Sequence, residues 1–519
     1  MVCMEKYDVV IIGSGLGGLQ CGFILSKHGM KVCVLEKNAQ PGGCMQSFRR
    51  GNHTFDTGLH YVGGLDAGQP LHRLFDYFGL MELPWHRLDD SGFDEVILHD
   101  KSYLFANGFD RFAETLSEHF PRQQKNLKKY TKFLQQVSAD IFSAFTKQNE
   151  EDLYSTSLFA QPAYDFLVET IDNPLLRQVL SGTSLKMELN PQTLPLYTFA
   201  QINSSFIQSA WRLAGDSSQI ADLLIKRIEA FGGNVYMNAE VTRLIEEGGK
   251  ISAAEVNGNS PIFADYFIAN THPAVALALI TESKNIRNIY RKRINNLENT
   301  FGFFTVNVVL KDHVIPYQNR NIYVYQTGDV WQYADYKPEN VNTCAIISFQ
   351  APRGGKSCLA ATPHTVQVAP TASCIDILTP MYPQEVAQWS ETRTGQRGDD
   401  YLAYKKQKAA DCIKLTFKHI PGLREMANPT DVIKQIHTST SLTYRDYTGT
   451  LHGSAYGIRK NYDQLMATLL SPRTPEPNLF LTGQNLNLHG VLGVSMTSFF
   501  TCAGIIDMKE AMKPFLSSL

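Results

Sequence analysis

The sequence has no basic excess, no paired cysteines and no apolar run of membrane length. The formal net charge of the 519 residues is −2, so the composition does not favour nucleic acid as a partner. The nine cysteines are scattered without a C-x-x-C pair, which fits a reducing compartment better than a disulfide framework. No uninterrupted apolar segment reaches the ~18 residues that suggest a membrane span. Because the first apolar run reads as a strand and not as a secretory signal, we expect a cytoplasmic protein.

The sequence also shows no internal repeat, no low-complexity tract, no metal-ligand cluster and no nucleophile–base triad. Its hydrophobic content of 43% and charged content of 19% are typical of a globular protein. A chain of this length can build two or three domains, or one cofactor-binding core with a large inserted domain.

The N-terminal residues 7–36 read as strand, glycine turn, helix, strand and acid, which is the pattern of a dinucleotide-binding site. Gly13 permits a tight turn, and Gly15 lets the backbone approach a pyrophosphate. Gly18 lets the helix pack closely on the sheet. Glu36 ends the second strand, where its carboxylate can accept hydrogen bonds from ribose hydroxyls. An acid at this position favours NAD or FAD over NADP.

Two further segments favour FAD. Pro41-Gly-Gly-Cys44 follows the acid directly and resembles the second glycine segment of FAD-containing oxidoreductases and amine oxidases, although such a turn is also found in ordinary loops. Near the C-terminus, residues 478–483 read as a short buried strand that ends in glycine, and Gly490 opens an apolar, helix-like stretch that reaches Ile506. This resembles the closing motif of FAD oxidoreductases, in which a helix N-terminus points at the flavin ring. The family usually has an acid where Gln484 stands.

These patterns predict an α/β fold, in which a Rossmann-like, glutathione-reductase-like FAD-binding domain is assembled from discontinuous segments and carries an inserted α+β substrate domain. The predicted FAD-binding segments are 1–75, 215–300 and 471–519, and the predicted substrate segments are 76–214 and 301–470.

Most of the predicted site residues belong to the cofactor. Val235 and Val241 stand where these flavoproteins place backbone contacts to adenine. The sequence has no second glycine motif that would bind a nicotinamide nucleotide. NAD(P)H is therefore possible only as an external electron donor, for which the sequence gives no direct sign. The residues predicted to bind FAD are Gly13, Gly15, Leu16, Gly17, Gly18, Glu36, Lys37, Gly42, Gly43, Cys44, Val241, Gly483, Gln484, Gly493, Val494 and Ser495.

Beyond the generic flavin motifs, the chain resembles the phytoene desaturase, carotenoid isomerase and all-trans-retinol 13,14-reductase (retinol saturase) family over most of its length. Residues 55–63, 377–381, 440–447 and 453–457 are similar to the retinol saturase branch. The resemblance implies flavin chemistry on carbon–carbon double bonds of a polyene or isoprenoid-like apolar substrate, with saturation as the leading interpretation. Carotenoid-type isomerisation and phytoene-type desaturation remain open. So does a flavin-bearing protein that binds a hydrophobic ligand without turnover.

Three residues are candidates for proton transfer. His60 and Tyr61 follow the Asp-Thr-Gly turn, which the resemblance implies lies near the flavin, and either side chain could deliver the proton that completes alkene saturation. His489, beside Gly490, is a third candidate. Each of the three can also be an ordinary structural residue.

Two further expectations concern the substrate. Tyr444 and Tyr447 could flank a flat polyene, although core packing is the favoured explanation for each of them. Arg445 and Asp446 between them are expected to form a structural ion pair or solvated contacts. Because polyenes are nearly insoluble in water, we also expect shallow membrane contact. The apolar segment 153–167 is the candidate entrance, with packing in the core as the alternative.

Overall fold

The computed structural model describes residues 6–145, 157–350 and 371–507, together with residues 509, 512 and 515. The strands in this part of the chain are β1 (Tyr7–Ile12), β2 (Val32–Leu35), β3 (Ser47–Arg50), β4 (His53–Asp56), β5 (Val62–Gly63), β6 (Trp85–Arg87), β7 (Asp94–Leu98), β8 (Lys101–Phe105), β9 (Ala210–Leu213), β10 (Asn234–Tyr236), β11 (Val241–Glu247), β12 (Lys250–Val256), β13 (Ser260–Ala269), β14 (Gly302–Leu310), β15 (Asn321–Tyr325), β16 (Cys344–Phe349), β17 (Cys374–Met381), β18 (Ile433–Ser439) and β19 (Leu479–Leu481).

The helices are named in the same way. In chain order they are α1 (Leu16–Lys27), α2 (Pro70–Phe78), α3 (Phe109–His119), α4 (Gln124–Ala139), α5 (Ala163–Thr170), α6 (Pro174–Ser181), α7 (Leu196–Gln208), α8 (Ser218–Ala230), α9 (Pro273–Ala278), α10 (Asn288–Asn295), α11 (Gly398–Phe417), α12 (Ser441–Thr448), α13 (Leu465–Thr468) and α14 (Gly490–Cys502).

The first sheet has the strand order β10-β2-β1-β13-β12-β11, and β19 also pairs with β13. The pairs among β10, β2, β1, β13 and β19 are parallel, whereas β12 and β11 continue the sheet in antiparallel fashion. Val9, Val10 and Ile11 of β1 are fully buried, as expected for a central parallel strand that is covered on both faces. The parallel strands come from three distant stretches of chain. The sheet therefore has the discontinuous construction that the glycine motifs predict.

Helices α1 and α14 pack beside each other against this sheet and are almost wholly buried. The hydroxyl groups of α14 bond within the helix or to its neighbours, which removes the cost of burying them. Thr497 Oγ1 donates to Gly493 O at 2.8 Å, and Thr501 Oγ1 donates to Leu481 O at 2.9 Å. The apolar, helix-like stretch predicted from Gly490 to Ile506 is thus a core helix, and it ends at Cys502.

The second sheet has the order β18-β14-β17-β16-β15-β7-β8 and is antiparallel except at the β15–β7 pair. Alternate residues of its strands face opposite sides. Tyr323 and Tyr325 of β15 join the apolar cluster formed with α3–α7, whereas Ile322 and Val324 join the cluster that contains α11. This sheet is therefore covered by helices on both faces and presents one face to the helical layer of residues 109–208.

A small third sheet, β5-β9-β6, connects the two larger layers. Gly63 of β5 lies so close to α7 that a Cβ atom there would come within 2.5 Å of Ser205 backbone atoms. This close approach fixes the preceding residues, His60 and Tyr61, at the boundary between the two sheets.

The apolar segment 153–167 is part of the core where the structure describes it. Residues 153–156 lie outside the described residues. Phe159 and Leu167 are buried, and Leu158, Tyr164 and Phe166 pack against the same helical core. The structure thus supports the core-packing alternative for these residues, because two of them are buried and the other three are half-buried against the same core. Over residues 6–145, 157–350 and 371–507, no helix has both the length and the apolar character needed to cross a membrane.

Candidate functional site

One continuous cavity of about 510 Å³ connects the two sheets. At one end it is lined by Ile12 and Leu35, the last residues of β1 and β2, which is where open α/β sheets bind ligands. At the other end it is lined by residues of β14–β17 and α7. We call these the glycine end and the sheet end. The glycine end is formed mainly by backbone, and the sheet end is formed mainly by side chains.

The glycine end is built from backbone. Gly13 has φ +97°, which only glycine adopts without strain. A Cβ on Gly15 would lie 2.8 Å from Asn270 Nδ2, and a Cβ on Gly17 would lie 2.8 Å from Asn270 Oδ1. A Cβ on Gly18 would lie 2.1 Å from Gly13 O. Each predicted glycine of the turn is therefore required by a close contact.

Asn270 is the residue that the sequence reasoning missed at this end. It follows β13, its amide N–H bonds Ile12 O at 2.9 Å, and its side chain contacts the glycine turn. It also approaches the C-terminal motif, because a Cβ on Gly483 (φ +96°) would lie 2.7 Å from Asn270 Oδ1. A polar residue at the carboxyl end of a central parallel strand was the available signal.

Glu36 lines the cavity and is 6% exposed. Its carboxylate accepts hydrogen bonds from Ser14 N at 3.0 Å, Ser14 Oγ at 2.6 Å and Asn38 N at 2.9 Å. These bonds fix the carboxylate at the end of β2, where it retains further acceptor capacity toward the cavity. That geometry is compatible with the predicted contact to ribose hydroxyls.

The second glycine turn lies against the first. Gly42 (φ +106°) forms a bridge with Gly15, and a Cβ on Gly43 would lie 3.2 Å from Gly15 Cα. Cys44 lines the cavity beside this turn, and burial raises the pKa of its thiol, which keeps it neutral. Lys37 lines the cavity from an exposed position.

Most of the residues predicted to bind FAD line this cavity. They are Gly13, Gly15, Leu16, Gly17, Glu36, Lys37, Gly42, Gly43, Cys44, Val241, Gly483, Gln484 and Val494.

Three of the predicted residues lie outside the lining and serve helix packing. Gly18 packs on Gly13, and Ser495 Oγ accepts a hydrogen bond from Gln20 Nε2 at 2.8 Å. A Cβ on Gly493 would lie 2.2 Å from Leu488 O. Val235 is also absent from the lining and packs on the apolar core. These positions serve the packing of helices and sheet and do not line the cavity.

The residues present fit FAD. Along the glycine end, small residues leave the backbone bare, and a side chain at Gly15 or Gly17 would fill the space that a pyrophosphate needs. Helix α14 begins at Gly490, and its first turn lines the cavity, so its unpaired N–H groups are available to an anion or an electron-rich ring edge.

The two histidines predicted for proton transfer are neutral at pH 7. Burial and the charge of Arg212 lower the pKa of His60 to about 4, and its Nδ1 lies 3.8 Å from Asp376 Oδ2. Burial lowers the pKa of His489 to about 4, and its Nε2 bonds Lys186 O at 3.2 Å. Both side chains line the cavity, but neither holds an ionisable proton near neutral pH.

Tyr61 belongs to a buried polar group that the sequence did not reveal. Its hydroxyl donates to Asp94 Oδ2 at 2.8 Å and lies 2.5 Å from Tyr323 Oη. Lys186 Nζ lies 3.5 Å from the same carboxylate oxygen, and Asn321 Nδ2 donates to Asp94 Oδ1 at 2.9 Å. We call Tyr61, Asp94, Lys186 and Tyr323 the Asp94 cluster. Its members come from four distant segments of the chain, so no local sequence motif could have predicted the cluster.

The rest of the sheet end is mainly apolar. Its lining includes Ile202, Phe206, Phe303, Ile346 and Leu378. Tyr444 also lines the cavity, with its hydroxyl 2.5 Å from Thr305 Oγ1. In contrast, Tyr447 is 53% exposed and lies away from the lining. The predicted ion pair is confirmed, because Arg445 Nε donates to Asp446 Oδ1 at 2.8 Å. Over the described part of the chain, no three His, Cys, Asp or Glu side chains converge as metal ligands would.

Comparison with known proteins agrees with this geometry. Residues 11–78 match the family described as NAD(P)-binding Rossmann-like domain. The all-trans-retinol 13,14-reductase of Danio rerio is 25% identical over 97% of this chain and 86% of its own length. The chloroplastic prolycopene isomerase of Daucus carota is 22% identical over 85% of this chain and 70% of its own length. The chain is therefore similar over most of its length to retinol 13,14-reductases and to prolycopene isomerases.

The fold expected of this family is also found in a solved structure. Cyclohexylamine oxidase from Brevibacterium oxydans IH-35A aligns with a TM-score of 0.58 at 14% identity, covering 96% of this chain and 99% of that chain. At that identity the likeness shows the fold alone. It confirms the predicted α/β fold.

Proposed function

We propose that this protein is an FAD-dependent oxidoreductase that saturates a carbon–carbon double bond of a polyene or isoprenoid-like apolar molecule. The observation that carries the proposal is the single cavity, which joins a glycine-lined cradle to an apolar compartment bordered by the Asp94 cluster. The similarity to retinol 13,14-reductases over 97% of the chain supports reduction as the direction.

The glycine end would hold the cofactor. Gly13, Gly15 and Gly17 would face the pyrophosphate, Glu36 the ribose, and the first turn of α14 the flavin ring. When bound, FAD in its reduced form supplies hydride chemistry that no side chain can perform. Its electrons would come from an external donor such as NAD(P)H.

The protein's own residues position the substrate and supply the proton. Phe206, Phe303 and Leu378 offer apolar contacts that suit a long polyene and keep water from the reacting carbons. Burial raises the pKa values of Tyr61 and Tyr323 well above their ordinary range, so both hydroxyls stay protonated. The Asp94 cluster therefore keeps protons at the wall of the cavity.

Anaerobic incubation of the dithionite-reduced holoprotein with all-trans-retinol and with carotenoid polyenes tests the proposal. Saturation adds two hydrogens to the product and returns the flavin absorption to that of the oxidised form. The proposal fails if the flavin stays reduced and the recovered polyene has its original mass.

Isomerisation is the second candidate, and the similarity to prolycopene isomerase favours it. The same experiment distinguishes it, because an isomerised polyene changes its chromatographic retention without a change in mass. A protein that only binds the polyene would change neither. Shallow membrane contact during substrate uptake stays a prediction, and liposome flotation of the purified protein is its test.

A further inference from the structure

Lys186 is held at the wall of the cavity by bonds to its own backbone turn. It ends the 3₁₀ turn Ser184–Lys186, and its carbonyl oxygen bonds His489 Nε2 at 3.2 Å. The carbonyl of Leu185 accepts from Tyr456 Oη at 2.5 Å. His489 is the N-cap of α14, whose first turn lines the cavity. The turn that carries Lys186 is therefore fixed beside the predicted position of the flavin ring.

The Lys186 ammonium group has few partners for a buried charge. Its side chain is 9% exposed, and Nζ lies 3.5 Å from Asp94 Oδ2 and 4.1 Å from the centre of the Phe206 ring. Among the described residues, Asp94 is the only hydrogen-bond acceptor of this group. An ammonium carries three hydrogens, so Asp94 leaves donor capacity unused, and the Lys186 side chain lines the cavity.

Burial shifts the pKa values of the ionisable groups around Lys186, and it raises the pKa of Asp94, a shift that Lys186, Asn321 and Tyr61 oppose. The titratable side chains around it and its turn are Tyr61, Asp94, Tyr323, Tyr456 and His489. Burial lowers the pKa of Lys186 to about 8, and the Asp94 carboxylate opposes that shift. The three tyrosines stay neutral because burial raises their pKa values, and His489 stays neutral because burial lowers its pKa.

We propose that the Lys186 ammonium donates the proton that completes double-bond saturation, and that Asp94 and Tyr61 position it. This inference rests on the proposed reductase function. One carbon receives a hydride, for which reduced flavin is the source and is left oxidised. At the other carbon, the π electron pair forms a C–H bond with a proton from Nζ. The broken N–H bond leaves its electron pair on nitrogen, and the neutral amine regains a proton from water after product release.

The first test compares variants of the dithionite-reduced holoprotein with all-trans-retinol as the probe. Lys186→Met should slow saturation by roughly 10²- to 10⁴-fold while the ratio of flavin to protein stays unchanged. Lys186→Ala should be partly rescued by added ethylammonium, which replaces the missing donor. Lys405→Met is the matched control, because burial also lowers the pKa of Lys405 to about 8 but its side chain does not line the cavity.

The outcomes separate this inference from the reductase proposal. Saturation by the wild type with undiminished saturation by Lys186→Met overturns the role of Lys186 and leaves the reductase function intact. Failure of the wild type itself to saturate retinol or a carotenoid overturns the function, and the proton-donor role with it.

A second measurement needs neither turnover nor cofactor. Pulses of acetic anhydride at a series of pH values, followed by peptide mass spectrometry, report the ionisation of each lysine. Lys186 should titrate near pH 8, and in Asp94→Asn its midpoint should move lower, because the carboxylate that stabilises the ammonium is gone. Lys405 should keep its midpoint in that variant. A midpoint for Lys186 at the ordinary lysine value of ~10.4, or one that Asp94→Asn leaves unmoved, contradicts the inference.

Discussion

The two ends of the cavity are constructed in opposite ways. At the glycine end the site is made by removing side chains, and Gly15 and Gly17 leave room where a single Cβ would come within 2.8 Å of Asn270. At the sheet end the site is made by burying them, and Asp94 is fully buried in contact with Tyr61 and Lys186. The glycine end provides space for a ligand, whereas the sheet end provides buried ionisable side chains. Substitutions at the two ends should therefore fail in different ways.

The largest effect is expected at the glycine end. Gly15→Val should weaken FAD binding by roughly 100-fold, or about 2.8 kcal/mol, because its side chain would occupy the space of the pyrophosphate and clash with Asn270. The flavin-to-protein absorption ratio after purification measures it. Gly258→Ala is strained because φ is +80° there, but it lies in an exposed turn outside the cavity lining, so it should lower stability and keep the cofactor. Normal flavin content in Gly15→Val would refute the assignment of this turn.

Substitutions at the sheet end should leave the cofactor bound and lower the rate of turnover. Tyr61→Phe removes a donor to Asp94 and the neighbour of the Tyr323 hydroxyl, so we expect a roughly 10- to 100-fold lower saturation rate with unchanged flavin content. Tyr447→Phe, at an exposed tyrosine outside the cavity, is the control and should behave as the wild type. Loss of flavin from Tyr61→Phe would contradict the prediction that sheet-end residues act on turnover and not on flavin binding.

A smaller effect is expected from the apolar wall. Leu378→Ala removes contact area from the substrate compartment, so KM should rise by roughly 5- to 10-fold with kcat little changed. Steady-state kinetics with a retinoid-length polyene measure it. An unchanged KM combined with a large fall in kcat would mean that Leu378 acts on the reacting carbons and not on the rest of the polyene chain.

The smallest effect concerns the stability cost of burying acids at the sheet end. Burial raises the pKa of Asp376 from 3.8 to about 6. Because the folded state holds this proton more tightly than the unfolded state, its contribution to stability is full below about pH 4. It is lost as the pH rises through about 6. The Tm of the wild type should fall by a few degrees over that window, and Asp376→Asn should reduce the slope. An unchanged slope in Asp376→Asn would refute this explanation.

The same contrast explains what could be predicted from the sequence. The glycine turn and Glu36 follow from local patterns, because the order of strand, turn, helix and acid is a property of neighbouring residues. The Asp94 cluster could not be predicted, because Tyr61, Asp94, Lys186 and Tyr323 meet only after two sheets and a helical layer have packed. The apolar segment 153–167 shows the converse limit. Its composition suits a membrane entrance equally well, and only packing shows that its described residues belong to the core.

The continuity of the two ends is tested most directly by titrating the oxidised holoprotein with a retinoid-length polyene while the flavin absorption is recorded. Flavin bands respond to a conjugated, apolar neighbour, so a polyene at the sheet end must perturb a flavin held at the glycine end of the same cavity. The predicted result is a saturable shift of the flavin bands with a stoichiometry of one polyene per flavin. Binding of the polyene with an unchanged flavin spectrum would contradict a shared cavity and the function that we derive from it.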